Sequence, residues 1–211
     1  MDSVRNLIRG WLRHVAAGLN RLSGGRLSPD VVTIIGFLMH LPIAILIAKL
    51  DYNILAAVLL IIFGLFDTLD GELARLQKRD SPGGMLLDAS TDRMKEVLLY
   101  AGIAYALIVG AHPTQAVWAV VALSASLCVS YVKAKGEAAV ATAKKDIPHH
   151  QLNYMFKDGI LAFEIRMVLL VVGLLVGQLF WAIVIIAVLA SYTALVRLMR
   201  ITRVLTSNSD V

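Results

Sequence analysis

Apolar residues fall along this chain in long stretches with few charges, at about 31–49, 53–76, 84–109, 114–136, 159–177 and 179–200. A helix needs roughly 20 apolar residues to cross the hydrocarbon core of a bilayer. The pattern therefore predicts six membrane-spanning helices. A β-barrel would instead alternate in polarity over segments of about ten residues, and no such alternation is seen. The predicted fold class is an all-α integral membrane bundle.

Residues 3–22 follow a different rule. Val4, Leu7, Ile8, Trp11, Leu12, Val15, Leu19 and Leu22 repeat at helical spacing, and Arg5, Arg9 and Arg13 lie elsewhere on the wheel. One apolar face and one arginine face predict an amphipathic helix lying in the headgroup zone. Gly24-Gly25 ends it, and Ser28-Pro29-Asp30 starts the next helix with serine at the N-cap and proline in the first turn. The expected organisation is an interfacial helix and linker over 1–27, a six-helix transmembrane domain over 28–203 and a flexible tail over 204–211. Residues 137–158 read as a polar connection. The N-terminus lacks the short apolar core and cleavage site of a signal peptide.

Composition agrees with a membrane protein: 58% of the 211 residues are hydrophobic. The formal net charge is +5, and the placement of that charge says more than its size. With both termini in the cytoplasm, nearly every Lys and Arg falls at a cytoplasmic helix end, and Lys49 alone is left outside. That asymmetry obeys the positive-inside rule, so the basic charge is assigned to the membrane surface and not to nucleic acid. Tyr52, Trp118 and Trp181 fall near the outer ends, where an aromatic belt belongs. The expected location is the cytoplasmic membrane, with the site on its inner side. The single cysteine, Cys128, reads as a small apolar side chain.

Four acidic residues stand apart. Asp67 and Asp70 are spaced i, i+3 at the end of the second span, and Asp88 and Asp92 are spaced i, i+4 at the start of the third. Each pair shares a helix face, with Cβ atoms about 5–6 Å apart. The two spans are antiparallel neighbours, so the pairs can face one another. Carboxylates in a membrane helix are costly and mark function. Four of them in one cleft call for a hard divalent cation, and an all-oxygen donor set favours Mg²⁺, Mn²⁺ or Ca²⁺ over zinc. Carboxylate-held metal is a standard way to stabilise a transferring phosphoryl group. Gly71, Ala74 and Gly84 leave space on the same faces, and Arg75 offers a planar fork to a diphosphate. A transporter would place its acids near the midplane between repeated halves, and no repeat is present.

The stretch Asp67-x-x-Asp70-Gly71-x-x-Ala74-Arg75, followed after eight residues by Gly84-x-x-x-Asp88-x-x-x-Asp92, resembles the motif of the CDP-alcohol phosphotransferase family at every fixed position. The resemblance implies a CDP-linked lipid donor bound through its diphosphate and a homodimer. An alcohol attacks the phosphorus next to the lipid, and CMP leaves. Carried over by position, Asp67, Asp70 and Asp88 hold Mg²⁺ or Mn²⁺, and Asp92 is a ligand or the general base. Gly71, Ala74, Arg75 and Gly84 line the nucleotide and diphosphate site. Asp30 and Thr33 lie in a segment similar to the one that contributes the cytidine side in that family.

The acceptor is read from three cations at cytoplasmic helix ends: Lys133, Arg166 and Arg197. Together they suit a phosphorylated polyol. The stretch Ser130-Tyr131-Val132-Lys133-Ala134-Lys135-x-Glu137 resembles the prokaryotic phosphatidylinositol-phosphate synthases, which implies inositol 1-phosphate. Glycerol 3-phosphate, or an archaeal ether-lipid donor, is the alternative. His40 reads as helix packing, His149 and His150 as loop residues, and Gly173-x-x-x-Gly177 as a contact either within the chain or between copies.

Overall fold

The structure is a computed structural model and describes residues 2–49, 51–143 and 161–207. The described residues form helices and contain no strand. They divide into two compact units, Met1–Gly102 and Ile103–Val211.

The first unit contains α1 (Asp2–Leu22), α2 (Pro29–Ala48), α3 (Asn53–Gly64), α4 (Phe66–Gln77) and most of α5 (Pro82–Val109). Gly24 and Gly25 both take positive φ, +59° and +74°, which reverses the chain after α1. Ser28 is the extended residue that opens α2, with Pro29 behind it, but its hydroxyl makes no capping bond. Capping by Ser28 is therefore positional only. The start of α5 is different: the Ser81 hydroxyl accepts the Gly84 N–H at 3.0 Å, a genuine side-chain cap.

The second predicted span is one apolar run in sequence but two helices in the structure. Leu65 separates α3 from α4. There the ladder tightens, with Leu65 N–H donating to Ile62 O and Thr68 N–H to Leu65 O, both at 3.2 Å. Gly64 supplies no side chain at this joint. Hydropathy runs unbroken through it, so periodicity alone does not reveal it.

Helix α1 packs on α4, and α2 packs on α3 and α4. Leu12 and Ala16 of α1 meet Val32, Leu69 and Leu73 in a buried cluster, with Val15 and Leu19 packed against it. Part of the apolar face of α1 is thus used in protein packing, while Trp11 and Leu22 stay exposed. Further along, α5 crosses α2 so closely that a Cβ on Gly102 would lie 2.4 Å from the Ala44 carbonyl oxygen.

The second unit contains the end of α5, a 3₁₀ turn (Pro113–Gln115), α6 (Ala116–Ala143), α7 (Phe163–Val176) and α8 (Leu179–Ser207). Helices α6 and α8 pack along one another. Ala116, Ala119, Ala122 and Ala125 on α6 are buried, as are Ala182, Ala187, Ala190 and Ala194 on α8. Small residues at that spacing let helix backbones approach. Gly177 takes φ +68° to end α7. A Cβ on Gly173 would lie 2.6 Å from the Cβ of Ala182. The Gly173 to Gly177 pair therefore serves the α7–α8 hairpin within the chain.

Two boundaries differ from expectation. Helix α6 continues through Ala143, beyond the predicted end at 136; residues 144–160, with His149 and His150, lie outside the described residues. Helix α8 continues through Ser207, beyond the expected start of the tail at 204. Ile201 and Val204 are buried against Val132 and Val140, which holds this last stretch as helix.

Among the described residues, four helical segments are long and apolar enough to cross a membrane: Pro29–Ala48, Asn53–Gln77, Pro113–Thr142 and Leu179–Thr206. The charges in the first half of α5 and the 14 described residues of α7 set those two elements apart. Apolar side chains on the spanning helices face outward, among them Leu38, Ile45, Ile61, Val120 and Val188. The chain is a multi-pass membrane protein.

Candidate active site

Helix α4 carries Asp67 and Asp70, and α5 carries Asp88 and Asp92. The turn between them is short and specified. Lys78 takes φ +54°, and Arg79 N–H donates to the Ala74 carbonyl at 2.9 Å, closing the end of α4. Pro82 and the Ser81 cap then start α5 at once.

Carboxylate oxygens of Asp67, Asp88 and Asp92 all lie within 4.8 Å of one another. Asp70 is placed differently. It is buried, and its Oδ2 accepts the Thr33 hydroxyl of α2 at 2.5 Å. The four aspartates thus divide into a cluster of three and one residue tied to α2. Asp88 Oδ1 is buried and has no hydrogen-bond partner among the described residues. A buried oxygen left in this way is costly. Three converging carboxylates, one with an unmatched oxygen and with no histidine or thiol in the cluster among the described residues, fit a hard divalent ion.

Lys95 is the residue that sequence reasoning missed. It is only 1% exposed. Its Nζ donates to Asp67 on α4 and, at 3.2 Å, to Asp92 one turn back on α5. In sequence it appears as one more cytoplasmic cation. The i, i+3 spacing from Asp92 was the available signal. Beside it, Arg93 donates to the fully buried Glu96 at 2.6 Å and lies 3.8 Å from Asp92.

The remaining positions of the motif take up distinct tasks. Gly84 sits close to two side chains: a Cβ there would lie 3.2 Å from Ser81 Oγ, a tight contact, and 3.5 Å from Asp30 Oδ1, an ordinary one. This approach brings the exposed Asp30 of α2 beside the start of α5. Gly71 sits under Arg75, whose Nη2 would be 3.1 Å from a Cβ at that position. Arg75 is half exposed, donates from Nε to the Gly71 carbonyl at 3.0 Å and pairs with Glu72 at 3.5 Å. Glu72 is buried and also accepts Arg13 from α1 at 3.3 Å. Ala74 is half-buried on the same helix.

The cations expected to meet the acceptor all belong to the second unit. Arg166, at the start of α7, is 1% exposed, donates to the Leu161 carbonyl at 3.1 Å and stacks over Phe163. Arg197 of α8 is buried and donates to the Val129 carbonyl of α6 at 2.9 Å. Lys133 is exposed on α6.

The Thr33 to Asp70 contact supports a direct prediction. Thr33→Val keeps the shape but leaves a buried carboxylate without this donor, which costs roughly 2 kcal/mol. The melting temperature of the purified protein should fall in Thr33→Val and recover in Thr33→Ser.

A model of the family described as CDP-alcohol phosphatidyltransferase matches residues 26–193. The chain is 36% identical over 115 residues to the phosphatidylinositol phosphate synthase of Corynebacterium glutamicum, a match covering 54% of this chain and 52% of that protein. It is 33% identical over 125 residues to the enzyme of the same name from Mycobacterium marinum, covering 59% and 52%. These matches span about half the length of the relatives. Among solved structures, Mycobacterium tuberculosis phosphatidylinositol phosphate synthase with CDP-DAG bound superposes with a TM-score of 0.75 at 24% identity, over 90% of this chain and 92% of that one. The same enzyme in complex with manganese and citrate gives 0.74 at 24%, over 90% and 88%. At that identity the likeness establishes a shared fold.

Proposed function

The chain belongs to the CDP-alcohol phosphatidyltransferase family, and we propose that within it the chain moves a phosphatidyl group from CDP-diacylglycerol to the hydroxyl of inositol 1-phosphate. The observation that carries this reading is the convergence of Asp67, Asp88 and Asp92 from two helices, with a buried Asp88 oxygen left unmatched. The acceptor assignment is supported by the curated relatives, which are named phosphatidylinositol phosphate synthases. The donor is supported by a neighbour of the same fold that binds CDP-DAG.

In this reading the acceptor hydroxyl oxygen bonds to the phosphorus that carries the diacylglycerol. The bond from that phosphorus to the CMP oxygen breaks, and CMP departs with its phosphate. Asp92 takes the hydroxyl proton, a role that requires a carboxylate at the reacting face. Asp67, Asp88 and Asp92, with Asp70, would hold Mg²⁺ or Mn²⁺, which when bound would supply positive charge to the diphosphate. Asp70, held by Thr33, works with Asp30 on the nucleotide side. Gly71, Ala74 and Gly84 keep α4 and α5 open to the diphosphate, and Arg75 swings from Glu72 to meet it. Lys133, Arg166 and Arg197 bind the phosphate of the acceptor, where a guanidinium offers paired donors.

The same reading sets the membrane frame. Four candidate spans together with α5 and α7 make six crossings, α1 lies at the surface, and both termini and the aspartates face the cytoplasm. The working enzyme is a homodimer in the cytoplasmic membrane. Transmembrane residues 28–203 form the catalytic domain.

The test is CMP release by the purified chain with CDP-diacylglycerol and Mg²⁺, comparing inositol 1-phosphate, glycerol 3-phosphate, inositol and serine. Selective turnover with inositol 1-phosphate is expected. Turnover with glycerol 3-phosphate alone would keep the aspartate chemistry and overturn the acceptor assignment. Absence of CMP with every acceptor, and with an ether-linked donor, would overturn the enzymatic reading.

A further inference from the structure

Lys95 is an unusual neighbour for a metal site. Its ammonium is buried and donates to two of the three clustered carboxylates, Asp67 from α4 and Asp92 from α5. The side chains of Asp67 and Asp92 are themselves only 19% and 18% exposed. Three carboxylates at this separation repel one another strongly in a poorly hydrated setting. A buried cation that bonds two of them lowers that repulsion and joins α4 to α5. Asp88, the third member, is left with its unmatched oxygen.

An ion binding to this triad must draw Asp67 and Asp92 away from the N–H donors of Lys95, or share them at close range with a like charge. Both costs weaken binding. We infer that Lys95 is a built-in counter-cation that competes with a divalent ion for Asp67 and Asp92, and so sets how loosely the site holds its metal. The inference rests on reading the triad as a metal site. Lys95 is a positioning residue in this account: it acts through the two aspartates and touches no reacting atom. Its effect is to keep the carboxylates in register when no ion is bound, while holding metal affinity below what three carboxylates would give alone.

A merely structural ion pair makes the opposite prediction. Its loss would disorder the aspartates and weaken metal binding. The two cases separate on Mn²⁺ affinity, read from the electron paramagnetic resonance signal of free Mn²⁺ with the full chain in lipid nanodiscs. Lys95→Met removes the charge and keeps the stem; Lys95→Gln keeps a hydrogen-bond donor and protects against failure of the first variant to fold. Either neutral variant should bind Mn²⁺ about tenfold or more tightly than the natural chain, as the loss of a neighbouring positive charge requires. In chelator both should melt at lower temperature than the natural chain, and Mn²⁺ should raise their melting temperature by more. Unchanged or weaker Mn²⁺ binding in the variants, with normal binding in the natural chain, overturns the role of Lys95 and leaves the metal site standing. Binding that is absent in every form, or indifferent to Asp92→Asn in the natural chain, overturns both.

Discussion

Asp92→Asn should lower CMP release by about 10³-fold, with little change in melting temperature. The size of the effect follows from removing a proton acceptor at the reacting face, which alone is worth 10²–10⁴-fold in typical enzymes, and from weakening a ligand of the ion at the same position. The small effect on stability follows from the surroundings of the residue. Asp92 accepts Lys95 through one oxygen and lies near Arg93 through the other. The asparagine carbonyl can still accept from Lys95, and Lys95 keeps its bond to Asp67. Steady-state CMP release and thermal unfolding on one preparation would separate chemistry from folding. A variant that melts far below the natural chain would show that Asp92 is needed for the fold, and the loss of activity would then carry no mechanistic weight.

Gly102→Leu should destabilise the protein by roughly 3 kcal/mol, with Gly102→Ala intermediate, because overpacking a closed contact typically costs 1–3 kcal/mol. The obstacle is the Ala44 carbonyl oxygen, 2.4 Å from the position a Cβ would take, with the Ala44 carbonyl carbon at 3.1 Å. Backbone cannot rotate away as a flexible side chain can, so α5 must lift from α2. That movement also displaces Asp88 and Asp92 relative to Thr33. Activity should therefore fall together with the melting temperature measured in detergent. A Gly102→Leu protein that melts like the natural chain would show that the α2–α5 crossing is looser than described.

The aspartate cluster and the helical membrane class were legible because both are local. Asp67, Asp70, Asp88 and Asp92 sit on two helices joined by a few residues, so helical spacing alone puts each pair on one face. What spacing does not show is how the four are shared out. Asp70 turns to Thr33, 37 positions away in sequence, and only the packing of α2 against α4 brings the two together. Lys95 escaped notice for a related reason: in sequence, a buried lysine and a snorkelling one look alike until its partners are known. The break at Leu65 was hidden because Ile62 and Phe63 before it and Phe66 after it are apolar, so the run of side chains passes through the joint. The late end of α8 depends on Val132 and Val140 of another helix, which no reading of residues 201–207 alone supplies.

The attachment of α1 has a consequence for how the protein is made. Arg13 meets Glu72 across 59 positions, and the cluster around Leu12 and Ala16 needs Leu69 and Leu73 to close. During synthesis α1 therefore exists before its partners. At about 5–20 residues per second, the wait is roughly 3–12 seconds. In that interval Leu12, Val15, Ala16 and Leu19 have no Leu69 or Leu73 to cover them. The Arg13 to Glu72 pair and the cluster around Leu12 can close only once α4 has been made, so the docking of α1 is a late step in the making of a fold whose first helix it is.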